Sequence, residues 1–409
     1  MVGLGDWTRS VLAIGVALAL GAGAPQGDAA DLAPSKAYSC EGAQGYANSF
    51  DGRRTFLWRP EWIEAIAADD ARRDDIIKEA EKALKRGPYS VTHKSKLVPG
   101  ASASDYTSIG PYWWPDKRKK GGLPYTRRDG EVNPQRSGPD FDKNRLTKLG
   151  ADMEALALAY HFTSEGRFAQ HAALLVRTWF LAPETRMAPN MDFAQGIPGR
   201  VNGRGEGIIE ASDFSTVIES VGLIAPSGAL SEKENAELRR WFAQLAQWMA
   251  TSENGTAEMK KTNNHSVFFD FYLSHFALFA GADNVTKNIV TNFPKYRLGR
   301  QMDKQGRFIA ELKRTKSWHY SNYILAGAGR LATIGECVGD DLWSSELDDG
   351  RSLKTAMGFV SEYSGDLKSW PFKDRDLAAG RLDRMQRSHR IVSTLFDRGA
   401  GFGSASELP

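Results

Sequence analysis

Cysteine is nearly absent from this chain of 409 residues. Its two cysteines, Cys40 and Cys337, stand far apart, and neither a CxxC nor an HExxH pattern occurs. A zinc site therefore has no support in the sequence. Net charge is scarce as well. Lys and Arg number 53 against 50 Asp and Glu, which leaves +3, too little to argue for nucleic-acid binding on charge alone. Strand-like alternation of apolar and polar residues is rare, and there is no repeat of about 34 residues. Long apolar runs are missing too. The stretch from Val11 to Leu20 is shorter than the ~20 residues a membrane helix needs. Arg9 precedes it, and small residues with Asp28-Ala29-Ala30 follow, which is the pattern of a secretory leader; a retained anchor is the alternative. Residues 1–30 are therefore expected to be a signal peptide, and the mature chain to be periplasmic or secreted, with no membrane insertion. Loss of Asp6, Arg9 and Asp28 with that leader would leave a net charge of +4. In an oxidising compartment Cys40 and Cys337 could pair or stay as two thiols, and spacing does not choose between these.

What is present is helix after helix. Ile77, Ala80 and Leu84 recur at helical spacing until Gly87-Pro88 stops the run. Leu146, Leu149, Met153, Leu156 and Tyr160 mark a second helix, and Phe168, Ala172, Leu175 and Trp179 a third. Further helical stretches are expected over 207–224, 232–251, 264–281, 319–336 and 351–363. Paired helices in one long chain predict an all-α fold. Periodicity alone does not separate a closed ring of hairpins from an open solenoid. Residues 31–376 are expected to form the folded domain. The Arg-rich stretch 377–409 is expected to be a peripheral or partly disordered tail. Nothing in the pattern sets an oligomeric state.

Between about 100 and 140 the helical period is lost. Tyr106-Thr107-Ser108-Ile109-Gly110-Pro111-Tyr112-Trp113-Trp114-Pro115 leads into Lys117 to Lys120 and then Arg127-Arg128-Asp129-Gly130-Glu131-Val132-Asn133-Pro134. Long irregular segments in compact domains are usually functional, and the aromatics argue against disorder. Aromatic faces interleaved with cations suit an acidic sugar chain, since rings stack on sugar faces and cations meet carboxylates. Tyr112, Trp113, Trp114, Arg127 and Arg128 are the candidate contacts. A single-stranded nucleic acid would suit the same residues, but export argues against it. A second segment runs from Thr185-Arg186-Met187 through Pro189-Asn190 to Gln195-Gly196. Gly203-Arg204-Gly205-Glu206-Gly207 follows. It lacks the preceding strand and the trailing Lys-Ser/Thr of a phosphate loop, so it reads as groove lining, its glycines letting a ligand approach the backbone. Gln195 joins the candidate contacts.

Two further constellations bear on chemistry. Asn263-Asn264-His265 opens the apolar run from Val267 to Ala280. Glu311-Leu312-Lys313-Arg314 is followed by Trp318-His319-Tyr320-Ser321-Asn322-Tyr323. Singly, each has an ordinary explanation: a helix cap, a surface arginine, a core tyrosine. Jointly they resemble the alginate lyase family of α/α-toroid polysaccharide lyases. The Gly-Pro-Tyr-Trp-Trp-Pro, Arg-Arg-Asp-Gly-Glu-Val-Asn-Pro and Thr-Arg-Met-x-Pro-Asn segments are similar to its glucuronan lyase-like branch. The resemblance spans about residues 85–365. It implies an α/α toroid, an incomplete barrel of helical hairpins with long irregular loops lining a groove. It also implies an anionic polysaccharide partner and no cofactor or metal. This chain departs from the alginate enzymes at Ser266-Val267-Phe268-Phe269 and at Ser321, and by one residue in the Arg-to-Tyr spacing. Those departures move the expected substrate from alginate towards glucuronan.

The implied reaction removes the C5 proton of a uronate and expels the C4 oxygen. Charge develops on a carboxylate that is already negative, so donors aimed at it matter. Asn264, His265 and Arg314 are the expected neutralisers. Asn263 is a candidate substrate contact. Tyr320 is the expected base and acid: a tyrosine, with a reference pKa of about 10, needs nearby cations to act as a base. The rival readings are a mannuronate-specific alginate lyase, a glycoside hydrolase using carboxylates such as Glu206, Glu210 or Asp213, and a non-catalytic periplasmic polysaccharide-binding protein.

Overall fold

A computed structural model describes residues 55–397. The expected leader, Cys40 and the end of the tail lie outside the described residues. In chain order the longer helices are α1 (Pro60–Ala68), α2 (Asp70–Ala83), α3 (Lys143–Thr163), α4 (Gly166–Val176), α5 (Ser212–Ile224), α6 (Glu232–Thr251), α7 (Asn264–Phe279), α8 (Asp283–Phe293), α9 (Ser317–Gly335), α10 (Leu353–Ser361) and α11 (Leu382–Asp397). The described residues divide into two compact units, one of 75–258 with 279–282, the other of 55–74, 259–278 and 283–397.

In the first unit, α6 starts with a reciprocal cap. Ser231 Oγ accepts the Glu234 N–H, and the Glu234 carboxylate accepts the Ser231 N–H at 2.8 Å, which satisfies two donors the helix start would leave open. α3 ends where Ser164 takes a left-handed conformation (φ +58°). α4 runs on into a π-type turn, Arg177–Leu181. The core here is aromatic: Phe180 meets Trp241 edge-on at 4.7 Å, and Phe214 meets Trp241 at 5.5 Å. Trp241 Nε1 donates to the Met187 carbonyl at 2.8 Å, so the Thr-Arg-Met segment is fastened to α6.

Four short strands also belong to this unit. β1 (Thr107–Ile109) pairs in parallel with β4 (Phe193–Gly196), and β2 (Trp113–Trp114) pairs antiparallel with β3 (Thr126–Arg127). Asp142, buried just before α3, accepts the Thr107 N–H at 2.9 Å, and its own N–H donates to the Thr107 carbonyl at 2.8 Å. β1 is thus tied to the start of a long helix. Short strands of this kind carry no readable period, so periodicity does not reveal them.

In the second unit, α7 and α9 are buried along most of their length. Gly327 of α9 faces Phe268 and Val267 of α7, and a Cβ there would lie 3.2 Å from both. Its absence lets the two helices approach closely. Asp270 of α7 and Arg297 form a buried bidentate pair, Nε to Oδ2 at 2.6 Å and Nη2 to Oδ1 at 2.7 Å, while Arg297 Nη1 donates to the Met259 carbonyl at 3.0 Å. Cys337 is buried and disulfide-bonded. Residues 382–397, read from sequence as part of a loose tail, form α11. Met385, Val392 and Leu395 of that helix are buried, and the Met385 carbonyl accepts Trp318 Nε1 at 2.7 Å.

Removing one partner of a buried pair strands the other charge. Arg297→Ala is expected to lower the unfolding free energy by about 3–5 kcal/mol in a urea titration. A loss below about 1 kcal/mol would show that the pair is not a structural tie.

Candidate active site

The start of α7 carries Asn263, Asn264 and His265. Asn263 serves as a cap: its Oδ1 accepts the His265 N–H at 3.1 Å, and its carbonyl accepts Ser266 Oγ at 3.1 Å. Gln301 Nε2 donates to Ser266 Oγ at 2.9 Å and steadies the same turn. Asn264 is buried. Its backbone N–H donates to Glu311 at 2.6 Å, and its Nδ2 donates to both Glu311 oxygens at 3.0 and 2.9 Å.

Glu311 sits on the short helical turn Ile309–Leu312, fully buried. Burial pushes its carboxyl above the ordinary range; the Asn264 donors, then Arg314 and His265, pull it back. This one carboxyl therefore feels both constellations found in the sequence. Arg314 follows it by three residues, one helical turn. Arg314 Nη2 donates to Tyr320 Oη at 2.7 Å, and the guanidinium carbon lies 3.7 Å from the Tyr320 ring centroid. Tyr320 also meets His319 edge-on at 5.2 Å. His319 stacks on Tyr323, which stacks on Phe268 at 4.3 Å. Tyr320 thus contacts both a cation and an aromatic column, at the start of a buried helix.

Asn263, Asn264, His265, Arg314 and Tyr320 all fall in the second unit and are brought together there. Sequence reading missed the residue that joins them. Glu311 had been quoted only as a neighbour of Arg314. The available signal was its place one turn before an arginine, but burial is what gives it a task. Asn264, an expected neutraliser, is held through its amide nitrogen, which donates to Glu311.

The remaining candidates fall in the first unit. Trp113 pairs with Arg127 across β2 and β3, the Arg128 N–H donates to the Tyr112 carbonyl at 2.7 Å, and Asn133 Nδ2 donates to the Trp113 carbonyl at 2.8 Å. The aromatic–basic loop is therefore a folded hairpin. Arg128 lies over the Trp114 ring at 5.1 Å and Arg200 over the Trp113 ring at 5.4 Å. Gln195, at the end of β4, has a left-handed φ of +47°. Its N–H donates to Ser108 Oγ at 2.7 Å, and its Oε1 accepts Arg204 Nη2 at 2.8 Å. A non-glycine residue rarely holds this conformation unless its surroundings impose it. Ser108 Oγ in turn donates to buried Glu210 at 2.6 Å, where Tyr106 Oη (2.8 Å) and Arg136 Nη2 (2.7 Å) also donate.

The glycines of 203–207 have a different reason from the one expected. A Cβ on Gly203 would strike the Asp192 carbonyl oxygen, on Gly205 that of Asn254, and on Gly207 the Ala194 backbone. They serve the chain's own close packing rather than ligand approach.

A family model described as alginate lyase matches residues 90–370. The chain belongs to the alginate lyase family. The crystal structure of an alginate lyase from Bacteroides ovatus is 31% identical, with 85% of this chain and 93% of that chain covered and a TM-score of 0.79. Alginate lyase A1-III from Sphingomonas species A1 is 15% identical over 85% of this chain and 96% of that one, TM-score 0.50, a likeness of fold. No curated protein matches. The fold class is accordingly the all-α, α/α toroid class, and the family member described here is a polysaccharide lyase, a carbon–oxygen lyase.

Replacing Glu311 tests the joint it makes. Glu311→Gln keeps the volume but offers Asn264 a donor where it needs an acceptor. Turnover is expected to fall on the order of 100-fold, as a misplacement near 1 Å can cause, with the circular dichroism spectrum unchanged. Activity within twofold of the parent would remove Glu311 from the site.

Proposed function

We propose that this chain cleaves a β-1,4-linked uronate polymer, glucuronan in preference to alginate, by syn β-elimination, leaving 4,5-unsaturated uronate ends. The observation that carries the reading is the contact of Arg314 Nη2 with Tyr320 Oη at 2.7 Å. A guanidinium donating to a phenol oxygen favours negative charge on that oxygen, which is what a tyrosine needs in order to take a proton from carbon. Tyr320 takes the C5 proton and returns it to the departing C4 oxygen. One group can serve both steps because the C5 hydrogen and C4 oxygen of glucuronate and mannuronate lie on the same side of the ring. Arg314 and His265 neutralise the carboxylate as the enolate forms. Asn264, anchored through Nδ2 on Glu311, is a fixed polar edge beside them.

Glucuronate and mannuronate differ at C2, away from the reacting bond, so preference is assigned to the loop residues. The departures after Asn264-His265 and at Ser321 support glucuronan, and mannuronate is the second reading. The acids named for the hydrolase reading are all partnered, Glu206 with Arg204 at 3.5 Å. Glu210 already accepts from Tyr106, Ser108 and Arg136, and Asp213 is paired with Lys143 at 2.7 Å. Export is proposed from the leader-like start; no helix among the described residues is long and apolar enough to cross a membrane.

Elimination creates an ultraviolet-absorbing double bond. Among polyglucuronate, polymannuronate, polyguluronate and mixed alginate, polyglucuronate is expected to give the fastest rise in absorbance, and a flat response on all four would overturn the reaction as proposed. Tyr320→Phe is expected to lower kcat by roughly 10²–10⁴-fold while polymer affinity stays within a few-fold; near-normal turnover would take Tyr320 out of its role.

A further inference from the structure

Arg200 had no part in the sequence reading, yet its setting marks it among the arginines near the aromatic hairpin. Its guanidinium lies 5.4 Å from the Trp113 ring centroid, and its Nε donates to the Tyr125 carbonyl at 3.1 Å. Both supports are themselves fixed. The Tyr125 N–H donates to the Pro198 carbonyl at 3.0 Å, and Ile197 and Val201 bridge to close the turn that carries Arg200. Gly199, at φ +78°, packs so tightly on this loop that a Cβ would lie 2.8 Å from Pro124 Cα. Trp113 is pinned by its backbone N–H to the Gly110 carbonyl (3.2 Å) and by its indole edge, 2.6 Å from where a Gly110 Cβ would stand.

The neighbouring arginines each have a carboxylate within ion-pair distance. Arg127 pairs with Asp129 at 2.8 Å, Arg118 with Asp116 at 3.0 Å, Arg136 with Glu210 at 2.7 Å and Arg204 with Glu206 at 3.5 Å, and Arg128 lies 3.9 Å from Glu131. Among the described residues no carboxylate pairs with Arg200. A guanidinium whose plane is set by an aromatic face and whose Nε is bonded keeps one edge, Nη1 and Nη2, for a ligand. That edge is a rigid two-pronged donor whose natural complement is a carboxylate.

We propose that Arg200, mounted on Trp113, binds a carboxylate of the polymer in addition to the one neutralised by Arg314. The proposal rests on the anionic-polymer reading above and deepens it. It also reassigns Trp113: one face of that ring is a platform for an arginine, and the sugar chain meets the cation there.

The test is affinity electrophoresis through gels holding glucuronan, polymannuronate or a neutral glucan, with KM and kcat measured on glucuronan. Arg200→Gln is expected to weaken retention by glucuronan about tenfold, the effect of losing a hydrogen bond to a charged group. It should raise KM with kcat unchanged, shallow the salt dependence, and leave migration in neutral glucan unaltered. Arg200→Lys should recover little, since an ammonium has no planar fork. Trp113→Ala should mimic Arg200→Gln, and the double variant should be no worse than either. Because Arg200 is exposed, its variants should keep the parent's thermal midpoint, so misfolding does not confuse the result. Retention of Arg200→Gln within twofold of the parent, while the parent is retained by glucuronan, overturns this site alone. A parent protein retained by none of the uronate polymers overturns the polymer reading, and this site with it.

Discussion

A single buried carboxylate joins the proposed reaction centre. Glu311 accepts both the backbone N–H and the side-chain amide of Asn264, so the first turn of α7 is fixed to the turn that bears Arg314. Without that acceptor two buried donors would go unsatisfied, at a cost of about 1–3 kcal/mol each. Arg314 and His265 both lie near enough to lower the pKa of the same carboxyl, and Arg314 Nη2 donates to Tyr320 Oη. Burial raises Glu311 and four neighbouring groups hold it down. A carboxyl so placed is sensitive to any change around it.

The helical framework was legible because amphipathic periodicity reports burial directly. α3, α4, α6, α7, α9 and α10 begin and end within a few residues of where the spacing of Leu, Phe and Trp places them. α11 was not legible. Met385, Val392 and Leu395 recur at helical intervals, but Arg381, Arg384, Arg387 and Arg390 crowd the same stretch, and composition hid the stripe. The strands were invisible for another reason. β2 and β3 are two residues each and exist through hairpin hydrogen bonds, which have no period in sequence.

The candidate residues were legible before their connections. Asn264, His265, Arg314 and Tyr320 were identifiable from motif and chemistry. Glu311 was not, because its importance is that it is buried, and a glutamate beside a lysine and an arginine reads as surface. Trp113 and Trp114 stood out in the sequence, yet sequence could not show that each carries an arginine on a face. The glycines of 203–207 were read as room for a ligand when they are room for the chain itself. In each case the missing information was which atoms come within about 3–4 Å of one another, a property of the fold.

The account's central claim is that Arg314, His265 and Tyr320 converge on one uronate with Tyr320 facing C5. The structure of the Tyr320→Phe variant with a glucuronan tetramer tests this most directly. The account predicts a uronate carboxylate against Arg314 and His265, with C5 turned to the Phe ring edge where the hydroxyl had been. A tetramer bound with its carboxylates away from Arg314 and His265, or with C5 turned from position 320, would contradict it.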